Sequence, residues 1–157
     1  MKPIPTACCL VLLAACGSQS PAAAEAGQDA GPASATTATV DRLPLKPGYF
    51  VAADVPCGEA SNATVMLHDG DGINSSREAC HFTRIEQTGP NTYTAAETCT
   101  VIGGMGGSGP EPSEVDYTIE SPTAFSADNR TYDWQYAARH CPQTALPEPW
   151  RSNEIGH

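Results

Sequence analysis

Apolar and polar residues alternate along most of the chain after residue 43. The alternation is clearest in EVDYTIE (114–120), where Val115, Tyr117 and Ile119 stand between polar residues. A period of two places successive side chains on opposite faces of a strand, whereas a helix repeats its apolar positions every three or four residues. Since no segment shows a sustained helical stripe, the pattern predicts an all-β fold.

Six strands joined by turns follow from this alternation. They are GYFVAADV (48–55), NATVMLHD (62–69), EACHFTRIEQ (78–87), NTYTAAETCTVI (91–102), EVDYTIE (114–120) and TYDWQYAARHC (131–141). Short consecutive strands favour a small antiparallel meander that curls into a barrel or sandwich. We also expect one helical turn after Pro56, and a proline-rich tail whose Trp150 packs back on the domain.

The first fifteen residues have a different pattern. Lys2 precedes a short apolar run that ends in small residues before Cys16. This is the layout of a secretory signal, and the run is too short to span a bilayer as a helix. The segment Leu13-Ala14-Ala15-Cys16 resembles, residue by residue, the lipobox of bacterial lipoproteins.

The resemblance implies that a lipoprotein signal peptidase cuts before Cys16. The Cys16 thiol would then carry diacylglycerol and its amine a further acyl chain such as palmitate, which together give stable membrane anchoring. Gly17 follows, and not the aspartate that retains many such lipoproteins in the inner membrane. We therefore expect a protein anchored by lipid to the periplasmic face of the outer membrane. An ordinary cleaved signal with an incidental cysteine is the alternative.

Composition changes again in residues 17–40, where eight of twenty-four residues are alanine and none is aromatic. Such a segment buries too little apolar area to offset the entropy lost on ordering. The predicted organisation is a signal peptide at 1–15, lipidated Cys16 with a flexible linker at 16–42, an all-β periplasmic domain at 43–150 and a tail at 151–157. The β domain resembles those of small proteobacterial lipoproteins, a resemblance that implies no activity.

The chain without its signal is strongly acidic. Seven Lys and Arg stand against eighteen Asp and Glu, a formal charge of −11. This charge argues against a nucleic-acid partner and permits a basic protein partner.

Four cysteines follow Cys16, an even number that predicts two disulfides in an oxidising compartment. If Gln87 pairs with Thr92 across the turn at 88–91, Cys80 lies opposite Cys99, close enough to bridge. This register predicts Cys80–Cys99 and leaves Cys57–Cys141. The sequential pairing, Cys57–Cys80 with Cys99–Cys141, stays open. No cysteine pair has the spacing that chelates zinc.

The stretch MLHDGDGINSS (66–76) places Asp69, Asp71 and Asn74 close together, as calcium loops do. Counted from Asp69, however, positions 5, 6 and 12 of a calcium loop do not match, so we interpret the stretch as a turn between two strands. The glycine-rich run at 103–110 is interpreted as a mobile loop. The histidines at 68, 81 and 140 are expected to be scattered surface residues, and we predict no metal and no cofactor.

The sequence says less about function than about fold. No catalytic constellation is visible, so we predict that the protein is not an enzyme. The stripe Tyr132, Trp134 and Tyr136 is the candidate binding face if it is exposed. We expect a binding or inhibitory module that captures an envelope-targeting hydrolase, as lysozyme-inhibitor lipoproteins do, since the predicted domain is small, tethered and acidic whereas lysozymes are basic. The alternative is a structural or accessory lipoprotein of an envelope complex.

Overall fold

Nine antiparallel strands form one curled sheet in the part of the chain that the structure describes. This structure, a computed structural model, describes residues 37–103 and 109–155. The strands β1 to β9 are, in chain order, Ala38–Val40, Gly48–Ala52, Val65–His68, Ile73–Ser75, Glu78–Gln87, Thr92–Val101, Glu111–Ser121, Ala124–Asn129 and Trp134–His140. Three short 3₁₀ turns lie at Cys57–Glu59, Gln143–Ala145 and Trp150–Ser152. The predicted signal peptide, Cys16, linker residues 17–36, most of the glycine-rich run (104–108) and tail residues 156–157 lie outside the described residues.

The order of the strands explains why the sheet curls. Neighbouring strands follow the order β1-β5-β6-β7-β8-β9-β2-β3-β4, so β4 and β5 lie near opposite ends of the sheet. Only Ser76 and Arg77 connect these two strands along the chain. Three Cα–Cα steps span at most about 11 Å, and the two ends must therefore approach each other. The result is a half-barrel, which confirms the predicted curled all-β fold.

Backbone contacts hold the two ends of the half-barrel together. The Phe82 backbone N–H donates to the Asp71 carbonyl oxygen at 2.7 Å. Beside this bond, a Cβ on Gly72 would lie only 1.8 Å from the Cys80 carbonyl oxygen. Only glycine allows so close an approach of the two backbones.

Three strands of the sheet are missing from the sequence prediction of six. They are β1, β4 and β8. Strands β1 and β4 have three residues each, too few to display a period of two. The inward-facing side chains of β8 are Phe125, Ala127 and Asn129. Because this set includes a polar residue, the sequence does not show an apolar face there. Strand β1 also lies within the predicted flexible linker (16–42), so the ordered sheet begins earlier than residue 43.

The core fills one end of the concave face. Phe50 and Phe125 are almost completely buried there, with ring centroids 5.3 Å apart. Residues packed with them come from the segment before β2 and from strands across the sheet, namely Leu43, Leu45, Ile73, Ile85, Tyr93, Ala95, Val115, Tyr117 and Ile119. The same end holds His68, which is 1% exposed and whose Nε2 has no hydrogen-bond partner. The prediction of a surface histidine is wrong here, because His68 alternates with Val65 and Leu67 along β3 and faces inward opposite Gly48.

The C-terminal segment covers the opposite, convex face of β2 and β3. Leu146 is fully buried against Tyr49, Val51 and Val65, and Trp150 packs partly buried on the same cluster. The predicted packing of Trp150 on the domain is confirmed. The alternate residues of β2 therefore serve two cores, one on each face of the sheet.

Both predicted disulfides are present, Cys57–Cys141 and Cys80–Cys99. The predicted register was nevertheless wrong near the turn, because Gln87 pairs with Tyr93 and not with Thr92. A β-bulge at Thr83, between the paired residues Phe82 and Arg84, shifts the register by one residue and places Cys80 opposite Cys99.

The two disulfides predict an order of stability losses. Cys57–Cys141 joins residues 84 positions apart, whereas Cys80–Cys99 joins residues 19 positions apart. Loop-closure entropy in the unfolded chain then gives a loss of about 4.5 kcal/mol for C57A/C141A and about 3 kcal/mol for C80A/C99A. Equilibrium urea unfolding of the two double variants measures both losses. A larger loss in C80A/C99A would contradict the entropic explanation.

Candidate functional site

The other end of the concave face encloses a cavity of about 460 Å³. Residues of eight strands, β2 to β9, and of the segments next to them form its wall. Its lining includes Met66, Glu78, Glu97, Glu111, Ser113, Tyr117, Asn129, Tyr132, Trp134 and Tyr136. The Cys80–Cys99 disulfide lies in the same wall, because both cysteines point inward from β5 and β6. A volume of this size lies in the range of small-molecule sites.

Strand register brings the polar residues of the cavity together. Glu97 of β6 is paired with Ser113 of β7, and Asn129 of β8 is paired with Trp134 of β9. Residues opposite one another in a sheet point to the same face, so all four side chains reach the cavity. The polar groups of the site are thus positioned by strands.

A chain of hydrogen bonds fixes these polar side chains. The Asn129 Nδ2 donates to Ser113 Oγ at 3.2 Å, and Ser113 Oγ donates to Glu97 Oε1 at 3.0 Å. The Tyr117 hydroxyl approaches Glu97 Oε2 at 3.5 Å, the length of a weak hydrogen bond. Glu97 therefore has one well-satisfied oxygen and one with spare capacity to accept a donor.

Burial changes the acid–base behaviour of this group. Glu97 is 5% exposed, and loss of hydration raises the pKa of its carboxyl above 4.5, although the hydrogen bonds from Ser113 and Tyr117 oppose the shift. Burial also raises the pKa of Tyr117 and of Tyr136, so both phenols stay neutral hydrogen-bonding groups. The cavity thus contains a buried carboxyl group, that of Glu97, whose ionisation a ligand can change.

The predicted aromatic stripe divides between core and surface. Tyr136 packs edge-on against Phe125, with ring centroids 5.7 Å apart, and Trp134 lies 5.0 Å from Tyr136. Trp134 is 38% exposed and Tyr132, in the turn before β9, is 52% exposed. Asn129 positions this turn, since its Oδ1 accepts the backbone N–H groups of Thr131 and Tyr132. All three stripe residues line the cavity, from its interior to its mouth.

Exposed apolar side chains gather at this mouth. Among the described residues, the large hydrophobic side chains classed as exposed are Val101, Ile102, Tyr132 and Trp134. Val101, Tyr132 and Trp134 line the cavity, and Ile102 is the next residue after Val101. Apolar surface concentrated at the opening of a cavity marks a binding site more often than apolar residues scattered singly.

Two groups of side chains could in principle bind a metal ion, but one contains a disulfide and the other forms the hydrogen bonds of a turn. Cys80, Cys99 and Glu97 have their ligand atoms within 4.8 Å of one another, but the two sulfurs are joined in a disulfide and are not thiolate ligands. In the loop between β3 and β4, Asp69 Oδ1 accepts the backbone N–H groups of Asp71 and Gly72, and Asp69 Oδ2 accepts the Asn74 side-chain amide. The loop is the turn that the sequence predicts, with Asp69 as its organising residue.

Sequence reasoning missed Glu97 as a site residue. In TYTAAETCTV it stands among other polar residues, and nothing local separates it from the many exposed carboxylates of an acidic chain. One signal was available, because Glu97 is two residues before Cys99 and so shares the face of the disulfide. The alternation through Tyr93, Ala95, Glu97 and Cys99 places a carboxylate on the apolar face of β6.

Comparison with protein families, with curated proteins and with solved structures finds no match to this chain. Within the described residues, no helix has the length and apolar character needed to cross a bilayer. The fold class is therefore what the structure defines, an antiparallel half-barrel with two disulfides and a cavity on its concave face.

Glu97 predicts a measurable pH dependence of stability. The pKa of Glu97 is raised in the folded state, so the buried carboxyl group favours folding when it is protonated. Its contribution to the free energy of unfolding is fully present below pH 4.5 and is lost as the pH rises through the pKa of the folded state. We expect Glu97→Gln to remove this loss, so that the variant gains stability relative to wild type between pH 4.5 and neutral pH. Urea unfolding across that range checks the slope, with Glu120→Gln, an exposed carboxylate of β7, as the charge-matched control. A Glu97→Gln slope equal to that of wild type would refute the assignment.

Proposed function

We propose that this chain is a lipid-anchored binding protein of the bacterial periplasm, and that the cavity on the concave face is its binding site. One observation carries the proposal: exposed aromatic and aliphatic side chains surround the mouth of a cavity whose interior holds a buried carboxyl group. Binding sites typically combine an apolar wall with a few polar groups in fixed positions.

The polar network supports binding more than catalysis. The Ser113 hydroxyl accepts from Asn129 and donates to Glu97, so both of its functions are occupied inside the wall. The network therefore orients Glu97, and we propose that the protein is not an enzyme.

A macromolecular partner is a separate part of the proposal. The charge of −11 on the chain without its signal favours a basic partner, and we propose an envelope-targeting hydrolase. Inhibition of a purified basic muramidase by the protein checks this partner. Retention of an envelope complex under mild detergent, without inhibition, would instead support the accessory role.

The lipid anchor is proposed from Leu13-Ala14-Ala15-Cys16. We expect the wild-type chain to incorporate labelled palmitate and to fractionate with the outer membrane. Cys16→Ser removes the thiol that carries diacylglycerol, and the protein should then lose the label and no longer fractionate with the outer membrane. Cys8→Ser, in the discarded segment, is the matched control. Membrane fractionation of the Cys16→Ser variant equal to that of wild type would contradict lipid anchoring at this residue.

The cavity itself is tested with a neutral apolar probe, N-phenyl-1-naphthylamine, whose fluorescence rises in apolar surroundings. We expect wild type to bind the probe and Ser113→Phe to lose binding about tenfold or more, because the new ring enters the cavity. Thr100→Phe places the same ring on an exposed position of β6 and should keep wild-type binding. Equal binding by Ser113→Phe and wild type, with circular dichroism showing both folded, would place the probe elsewhere.

A further inference from the structure

We propose that the cavity binds a small organic ammonium ion, with its charged group at Glu97 and its apolar body against Trp134, Tyr136 and Met66. This inference rests on the proposed function, because it takes the cavity as the binding site. It adds the chemical class of the ligand, a cation that combines N–H donors with an aromatic or aliphatic body.

The charge of the wall favours a cation. The cavity is lined by three glutamates, Glu78, Glu97 and Glu111, and by no described lysine, arginine or histidine. An anionic ligand would meet carboxylates at the interior and at the mouth, with no positive group to offset them. A cation meets attraction at both places, which grows stronger as water is displaced from the site.

The aromatic residues act in the same direction. Trp134, Tyr132 and Tyr136 line the path from the mouth to the interior, and Trp134 and Tyr132 keep exposed surface that a ligand can reach. The faces of aromatic rings carry negative electrostatic potential and attract cations, most strongly for tryptophan. Aromatic rings and carboxylates in one wall therefore select positive charge by two independent interactions.

Glu97 gives the ammonium group a defined position. Its Oε1 accepts the 3.0 Å hydrogen bond from Ser113, whereas its Oε2 has only the 3.5 Å contact with the Tyr117 hydroxyl. An ammonium N–H donated to Oε2 would form a shorter, charge-assisted hydrogen bond. A nearby cation also favours the ionised carboxylate, so the buried acid would bind as an ion pair.

The remaining wall explains why the ligand should have an apolar body. Met66 and Ile73 line the cavity together with the aromatic rings. A bare inorganic cation would leave this surface unused. The volume of about 460 Å³ accommodates a ligand that carries a phenyl ring on a short alkyl chain.

Isothermal titration calorimetry with three matched probes tests the inference on the full chain carrying Cys16→Ser. The probes are 2-phenylethylammonium, its neutral isostere 2-phenylethanol, and phenylacetate. We expect the ammonium ion to bind the otherwise wild-type cavity about tenfold more tightly than the alcohol, since hydrogen bonds to charged groups are stronger. Phenylacetate should bind most weakly, because the wall repels its charge.

Glu97→Gln assigns the effect to one residue. We expect it to reduce the affinity for 2-phenylethylammonium to that for 2-phenylethanol, while Glu120→Gln leaves the difference unchanged. If the alcohol or phenylacetate binds wild type as tightly as the ammonium ion, the ammonium inference is wrong and the cavity remains a binding site. If none of the three probes binds and N-phenyl-1-naphthylamine also fails to bind, both the inference and the proposed site are wrong. The comparison of probes on wild type needs no variant to fold.

Discussion

A two-residue connection constrains the whole half-barrel. Ser76 and Arg77 join β4 to β5, although these strands lie near opposite ends of the order of the sheet. A flat nine-stranded sheet would separate its ends by far more than this connection can span, given about 4.8 Å between strands. The sheet must curl, and Gly72 permits the close contact with Cys80 that the curl requires. The concave face, with its core and its cavity, is a consequence of that short link.

The curl creates one enclosed surface and fills only part of it. Phe50, Phe125 and their neighbours pack one end, whereas Glu97, Ser113 and Asn129 occupy the other. An apolar side chain at position 97 would extend the core, so the buried carboxyl group is costly for stability. Under the proposed binding function, that cost maintains a carboxyl group at the ligand site. The Cys80–Cys99 disulfide lies in the same wall and links β5 to β6, the strand that contains Glu97.

The sequence predicts those features that depend on period and on local chemistry. The alternation of apolar and polar residues in β7 and β9 predicts the all-β fold, and the Asp-Gly sequence at Asp69 predicts the turn after β3. The number of strands was not predictable, because β1 and β4 are too short to display alternation. The disulfide pairing was correct although the predicted register was wrong near the turn, since the bulge at Thr83 inserts one extra residue into β5. Glu97 became a site residue only when the register placed it beside Ser113.

The most direct test of the account is the ¹³C chemical shift of the Glu97 carboxyl carbon, followed with pH in the free protein and with saturating 2-phenylethylammonium. We expect the Glu97 pKa to be raised in the free protein, because burial opposes ionisation, and to be lower in the complex, because a cation lies against the carboxylate. A Glu97 pKa at its ordinary value in the free protein, unchanged by the ligand, would contradict both the buried acid and its role in binding.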